Sequence, residues 1–115
     1  AAKEGRVRMK IILVCYSGSS ASILKDRMLA WCRANLIDAD VIIASLAGLD
    51  EDQEDADIVL VGPQVRCALS NIRERVPEQI PVLAVDTRDY GMAKGDRIMQ
   101  EALEEIRRFR EQRGL

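Results

Sequence analysis

Four short runs with a continuous apolar centre divide the chain, at residues 11–14, 40–44, 57–62 and 81–86. Their centres do not alternate apolar with polar residues, as a strand with one exposed face would. Continuous apolar runs of this length are typical of strands covered on both faces, which is the arrangement in parallel sheets. The pattern therefore predicts four buried parallel strands.

Between the runs, apolar residues recur at the three- and four-residue spacing of amphipathic helices. This spacing predicts one helix from residue 20 to about residue 35, a second from residue 65 to about residue 76, and a third through residues 98–109. The segment 50–57 contains six acidic residues and predicts a loop with a short helical turn. A further loop is predicted through Tyr90 and Gly91.

Strands that alternate with helices are typical of an α/β domain with one parallel sheet flanked by helices. Right-handed crossovers favour the strand order 2-1-3-4, a flavodoxin-like or P-loop-phosphatase-like winding. We assign this domain to residues 9–113. Residues 1–8 include three basic residues and no apolar pattern, and we predict that they form a tail.

In this winding, ligands bind outside the carboxyl ends of the strands, at the point where the strand order reverses. Those ends carry Cys15, the segment Gly62-Pro63-Gln64 and Asp86. We therefore expect three separate pieces of the chain to converge on one crevice, with Cys15 at its centre.

The composition excludes several classes of function. A net charge of −2 and a total of four aromatic residues (one Trp, two Tyr and one Phe) argue against nucleic-acid binding. No apolar stretch approaches the roughly 20 residues of a membrane helix, so direct membrane insertion is not expected. Three widely spaced cysteines suit a reducing cytoplasm rather than a disulfide framework. Without histidine, we expect no Cys-His catalytic pair, no metal site and no cofactor.

Cys15 is the strongest candidate for chemistry, because it joins the first strand to a helix through a loop of small residues. Loop amides and the positive end of a helix dipole favour a thiolate there and can also bind a phosphoryl group. Gly18 permits a close backbone approach. The predicted phosphate-binding loop consists of Tyr16, Ser17, Gly18, Ser19, Ser20, Ala21 and Ser22. A purely structural turn, with Ser20 as the helix N-cap, is the alternative.

The residue six positions after the cysteine distinguishes enzymes that hydrolyse a phosphocysteine from proteins that pass its phosphoryl group on. Cysteine-dependent tyrosine phosphatases, and the arsenate reductases related to them, have an arginine there that holds the transferring phosphoryl group. This chain has Ala21. The absence of a guanidinium in the loop argues against efficient hydrolysis and favours a protein that holds a phosphocysteine and passes the group on.

Three segments resemble the enzyme IIB component of the bacterial sugar phosphotransferase system, lactose/cellobiose class. The first is the Cys15 loop at residues 15–22, which is similar to the pattern Cys-Ser-x-Gly-x-Ser-[Thr/Ser]-Ser. The second is Ala-Asp-Ile-Val-Leu-Val-Gly-Pro-Gln-Val at residues 56–65, and the third is Pro81-Val82 through Val85-Asp86, followed by Tyr90-Gly91 and Gly95. Together they span nearly the whole chain in the family's order, and Gly62-Pro63-Gln64 is more specific than the cysteine loop.

The resemblance implies a sugar phosphotransferase component with a phosphocysteine intermediate. Cys15 would accept a phosphoryl group from a phosphohistidine on a IIA protein and pass it to a sugar bound in the membrane-embedded IIC transporter. The protein would then be cytoplasmic and peripheral to the membrane through IIC. The crevice around Cys15 would include Gly62, Pro63, Gln64, Asp86, Tyr90 and Gly91. A low-molecular-weight cysteine phosphatase or arsenate-reductase-like enzyme, and a regulatory IIB-like binding module, are the alternatives.

Three residues depart from the family pattern. Tyr16 stands where a small residue is usual, and Ala21 where Ser or Thr is usual. Asp89 places a negative charge near a site that receives phosphate.

Three further residues have weaker signals. Cys32 is predicted to pack in the core, and Cys67 to be in the core or half-buried. Asp86 is predicted to orient its loop, to act as an acid, or to cap a turn.

Overall fold

In a computed structural model of the protein, residues 8–16, 18–52 and 55–114 are described, with residues 18–20 and 51–52 described by their backbone. The strands are β1 (Met9–Val14), β2 (Ala39–Ala44), β3 (Ile58–Val61) and β4 (Val82–Ala84). The helices are α1 (Gly18–Ala34), α2 (Leu49–Asp52), a 3-10 helix (Pro63–Ala68), α3 (Leu69–Arg75), α4 (Thr87–Gly91) and α5 (Gly95–Gln112).

Within the described residues, four parallel strands form one sheet in the order β2-β1-β3-β4. This order confirms the predicted winding. β1 pairs with β2 on one side and with β3 on the other, so the strand order reverses at β1. The residue that follows β1 therefore lies at the switch point of the sheet.

The apolar runs are continuous because alternate residues of β1 and β3 point to opposite faces of the sheet, and each face is buried in its own hydrophobic core. Residues 11 and 13 of β1 and 58 and 60 of β3 pack against α1 and α5, in what we call the α1/α5 core. Residues 12 and 14 of β1 and 59 and 61 of β3 pack under the 3-10 helix and α3, in what we call the α3 core. Both faces of these strands are buried, so each position must be apolar.

The helices α1 and α5 touch each other closely at Gly95, the first residue of α5. A Cβ atom at Gly95 would lie 2.5 Å from the amide nitrogen of Met28 and 2.6 Å from the carbonyl carbon of Arg27. The Arg27 guanidinium also donates hydrogen bonds to the carbonyl oxygens of Met92 (3.5 Å) and Ala93 (3.3 Å), just beyond α4. These contacts set the position of the helix that follows the Cys15 loop.

The register of β1 and β3 is fixed at their amino ends by Asp57. Its carboxylate accepts a hydrogen bond from the Lys10 amide (2.8 Å), and its own amide donates to the Lys10 carbonyl oxygen (2.8 Å). The carboxylate also lies 3.6 Å from the Arg110 guanidinium of α5.

Two predictions of local structure are wrong in part. The segment through Tyr90 and Gly91 is not a loop but the short helix α4, because the Asp86 carboxylate caps it. The helix predicted over residues 65–76 is a 3-10 helix that starts at Pro63 and changes into α3, and Val65 inside it has a non-helical backbone (φ −116°, ψ 17°). The helical turn predicted in the acidic segment is confirmed as α2.

No helix in the part of the chain that the structure describes combines the length and the apolar composition needed to cross a membrane.

Candidate functional site

Cys15 lies at the centre of the carboxyl edge of the sheet, and the peptide group that joins Val14 to Cys15 is held by hydrogen bonds from both sides. The Cys15 amide donates to the carbonyl oxygen of Ala44 at the end of β2 (3.0 Å). The amide of Gly62, just after β3, donates to the carbonyl oxygen of Val14 (2.9 Å). Cys15 is therefore positioned rigidly at the switch point, where this winding binds its ligands.

The Cys15 side chain continues the alternation of β1 and turns towards the α1/α5 core, where it is 2% exposed. Burial raises the pKa of the thiol above its ordinary value, because the thiolate loses hydration. Burial therefore opposes the thiolate that the sequence predicts near the helix N-terminus. The physical reason is that α1 begins at Gly18, three residues further on, while the sulfur packs among apolar side chains.

The loop after Cys15 is partly described. The Tyr16 side chain is 79% exposed, and Ser22 is exposed on the first turns of α1. The backbone of Gly18, Ser19 and Ser20 forms the first turn of α1, where free amides of a helix can bind an anion. Ser17 lies outside the described residues, and so do the side chains of Ser19 and Ser20.

The burial of position 21 is unfavourable for an arginine in this loop. The Ala21 side chain is fully buried in the α1/α5 core, so the position six residues after Cys15 faces the core. A guanidinium there would be removed from water without a partner, which is strongly unfavourable.

Gly62, the first residue of the segment Gly62-Pro63-Gln64, lies beside the peptide group that joins Val14 to Cys15. A Cβ atom at Gly62 would lie 3.1 Å from the carbonyl oxygen of Val14, 3.1 Å from Oε1 of Gln64 and 3.4 Å from Cε2 of Tyr90. Pro63 starts the 3-10 helix and needs no amide partner at that position. A side chain at position 62 would therefore be tightly packed where β1, β3 and Tyr90 meet.

Asp86 caps α4, and this confirms the capping alternative for that residue. Its Oδ1 accepts a hydrogen bond from the Asp89 amide (3.0 Å). Asp89 is buried, and its Oδ1 lies 3.2 Å from Nε of Arg97. The negative charge of Asp89 is thus paired with a guanidinium of α5. Gly91 is exposed, and a Cβ atom there would have no neighbour within 4 Å.

Tyr90 packs in the same α1/α5 core as Cys15 and is 7% exposed. Its hydroxyl is buried and has no hydrogen-bond partner among the described residues. The sequence placed Tyr90 in the crevice, and the structure brings its ring against Gly62.

Arg66 is a residue of this edge that the sequence did not point to. Its Nη2 donates to the carbonyl oxygen of Val85 (3.0 Å) and to the Thr87 hydroxyl (3.3 Å). The side chain thereby ties the segment after β3 to the segment after β4. No local signal could have revealed it, because its partners lie 19 and 21 residues away along the chain.

The other two cysteines differ from each other. Cys32 is buried in the α1/α5 core, as predicted. Cys67 is exposed, so the prediction of a core or half-buried position is wrong. It lies on the 3-10 helix, where Val65 faces inward instead. Across the described ranges, no group of three or more Cys, Asp and Glu side chains is arranged to hold a metal ion.

Comparison with known proteins identifies the family. Residues 10–101 match the family model described as "PTS system, Lactose/Cellobiose specific IIB subunit". The oligo-beta-mannoside-specific EIIB component of Bacillus subtilis (strain 168) is 33% identical over 95 residues, which cover 82% of this chain and 92% of that protein. The galactose-specific EIIB component of Lactococcus lactis subsp. cremoris (strain MG1363) is 28% identical over 98 residues, which cover 80% of this chain and 91% of that protein.

Solved structures agree with this match. The cellobiose-specific phosphotransferase IIB component of Borrelia burgdorferi superposes with a TM-score of 0.74 at 30% identity, over 88% of this chain and 94% of that chain. The lactose-specific IIB domain of Streptococcus pneumoniae shares the fold, with a TM-score of 0.69 at 16% identity, over 85% of this chain and 97% of that chain. The chain therefore belongs to the lactose/cellobiose-specific IIB family of the sugar phosphotransferase system.

Proposed function

We propose that Cys15 is the residue on which this IIB component carries the phosphoryl group. The observation that supports the proposal is the position of Cys15 at the switch point, where its peptide group is held by hydrogen bonds from both sides and α1 begins three residues further on, at Gly18. Cys32 is buried within the core on the same helix, and Cys67 lies on the surface of the 3-10 helix. Among the three thiols, Cys15 alone lies at the switch point of the sheet.

The donor in this proposal is a phosphohistidine on a IIA partner. The sulfur of Cys15 attacks the phosphorus in line, an S–P bond forms and the N–P bond breaks. Because burial raises the pKa of Cys15, the resting group is the neutral thiol, and its proton passes to the leaving imidazole nitrogen. The transfer therefore needs no general base from this chain, which has no histidine.

The recipient is a sugar at the membrane-embedded IIC transporter. A sugar hydroxyl oxygen attacks the same phosphorus, the S–P bond breaks, and the sulfur regains a proton. The sugar belongs to the range named for the relatives, which are specific for oligo-beta-mannoside, galactose and cellobiose. The cytoplasmic location at IIC is part of this proposal.

The phosphoryl group on Cys15 is proposed to rest on the first amides of α1, which begins at Gly18. Positioning and charge stabilisation are the main demands of phosphoryl transfer, and helix amides provide both. The loop offers no guanidinium, because Ala21 faces the core. A bound phosphoryl group is therefore held without the arginine clamp that promotes attack by water in the phosphatases.

Phosphorylation by a labelled IIA partner tests the assignment. The wild-type protein should gain one phosphoryl group, and Cys15→Ser should gain none on sulfur. The matched control is Cys67→Ser, which removes an exposed thiol on another element and should leave loading unchanged. Loading of Cys15→Ser on another side chain would contradict the proposal, and so would equal loss in both variants.

A further inference from the structure

Tyr90 carries the one buried side-chain polar atom without a hydrogen-bond partner in the part of the chain that the structure describes. Leaving a buried hydroxyl unpaired is unfavourable by about 1–3 kcal/mol. A phenylalanine would fill the same space in the α1/α5 core without that penalty. Packing therefore gives no reason for the hydroxyl, and a functional role is one of the explanations for an unpaired buried group of this kind.

The ring of Tyr90 is placed beside the end of β1. The point at which a Gly62 side chain would begin lies 3.4 Å from Cε2 of Tyr90 and 3.1 Å from the carbonyl oxygen of Val14. Cε2 is the ring atom next to the carbon that bears the hydroxyl. Val14 directly precedes Cys15, and both Tyr90 and Cys15 belong to the α1/α5 core. One edge of the phenol ring thus lies against Gly62, next to the peptide group that joins Val14 to Cys15.

The helix that carries Tyr90 is short but firmly anchored. The Asp86 carboxylate caps its first turn, and Arg97 pairs with Asp89. Arg66 holds the backbone just before it through the carbonyl oxygen of Val85. An anchored helix keeps the phenol in one orientation, which is a requirement for binding a group of fixed geometry.

We propose that the Tyr90 hydroxyl donates a hydrogen bond to the phosphoryl group on Cys15. Tyr90 is then a phosphoryl-binding residue supplied by α4, in addition to the first amides of α1. Its hydrogen bond exists only in the loaded protein, so it favours transfer from the donor to Cys15. This inference rests on the proposed function, because it requires a phosphoryl group on Cys15.

The variant Tyr90→Phe tests the inference, because it removes the hydroxyl and keeps the ring. The measurement is the equilibrium of phosphoryl transfer between a phosphorylated IIA partner and this protein, read by phosphorus NMR. A hydrogen bond to a charged oxygen is lost only from the loaded state, so the equilibrium constant should fall about tenfold or more. In the wild-type protein, the Cζ resonance of Tyr90 should also shift when Cys15 is loaded.

The stability of the unloaded protein separates this role from a structural one. Without a partner for its hydroxyl, Tyr90 should be replaceable by Phe with no loss of stability, and the urea midpoint should be unchanged or higher. A lower midpoint would show that the hydroxyl already has a structural partner and would overturn the inference. The control is Ser70→Ala, which removes an exposed hydroxyl on α3 and should not change the transfer equilibrium.

The remaining outcomes distinguish the two proposals. If the wild type loads Cys15 and Tyr90→Phe has the same equilibrium constant, the inference is overturned while the proposed function stands. If the wild type takes no phosphoryl group on Cys15, both are overturned.

Discussion

Replacement of Gly95 by alanine is expected to force α1 and α5 apart. The added Cβ would lie 2.5 Å from the Met28 amide nitrogen, 2.6 Å from the Arg27 carbonyl carbon and 2.8 Å from the Arg27 Cβ. Two of these atoms belong to the backbone of α1, which cannot move aside as a side chain would. Ordinary contact requires about 3.5 Å, so the helices must separate locally by about 1 Å.

Two opposing effects determine the magnitude. Overpacking of this kind destabilises by about 1–3 kcal/mol, and the upper end applies because the obstacle is backbone. Alanine in place of glycine returns up to about 1 kcal/mol through its helix propensity. The net loss is about 2 kcal/mol in the free energy of unfolding. For 115 residues this corresponds to a fall of about 8 °C in Tm, at about 4 °C per kcal/mol.

The assay is urea unfolding followed by circular dichroism, with Gly91→Ala as the matched control. A Cβ atom at Gly91 has nothing within 4 Å, so this variant should be neutral or stabilised by up to about 1 kcal/mol. Because α1 begins next to the Cys15 loop, Gly95→Ala should also slow phosphoryl transfer onto Cys15. If Gly95→Ala proves as stable as Gly91→Ala, the close α1–α5 contact does not exist as described.

Three further predictions concern the sheet edge, the strand register and the thiol. Asp86→Ala removes the cap of α4 and should lower the free energy of unfolding in urea by about 1 kcal/mol. Asp86→Asn keeps a hydrogen-bond acceptor and should lose less, so equal losses in the two variants would argue against capping. Asp57→Ala removes the carboxylate that accepts from the Lys10 amide at 2.8 Å and should lower the free energy of unfolding by about 1–3 kcal/mol. A change within about 0.5 kcal/mol, the ordinary range of a surface substitution, would exclude a role of Asp57 in the strand register. Burial raises the pKa of Cys15, so in Cys67→Ser its alkylation should reach half its limiting rate at a higher pH in the folded protein than in urea. An equal or lower folded midpoint would refute the burial argument.

The same pKa shift has a consequence for stability. A thiol whose pKa is raised by folding stays protonated in the folded protein while it ionises in the unfolded chain. The contribution of Cys15 is therefore fully present below the unfolded pKa, and it is lost as the pH rises towards the folded value.

The sequence predicted the fold well because β1 and β3 serve two cores at once. Their positions are all apolar for that reason, and a run of this kind is difficult to place anywhere but in a central parallel strand. The strand order followed from crossover handedness, and it correctly placed Cys15 beside Gly62. The strand order and the position of Cys15 were therefore predictable, because both depend only on the winding of the chain.

What the sequence did not predict depends on contacts between distant side chains or on local backbone changes. The short helix α4 forms because Asp86 caps it, and five residues leave no periodic signal. Cys67 is exposed because a 3-10 helix turns its side chains differently from the predicted α-helix. The raised pKa of Cys15 comes from its burial in the α1/α5 core, whose side chains come together only in the folded protein.

The most direct test of the account is a chase of the phosphoryl group from Cys15 to sugar. The protein is first loaded with labelled phosphate by its IIA partner, purified, and mixed with membranes that contain the IIC transporter and sugar. The label should leave Cys15 at the rate at which sugar phosphate appears, and little should be released as inorganic phosphate. Label that stays on the protein would contradict the role of carrier, and label that appears as inorganic phosphate would instead favour a cysteine phosphatase.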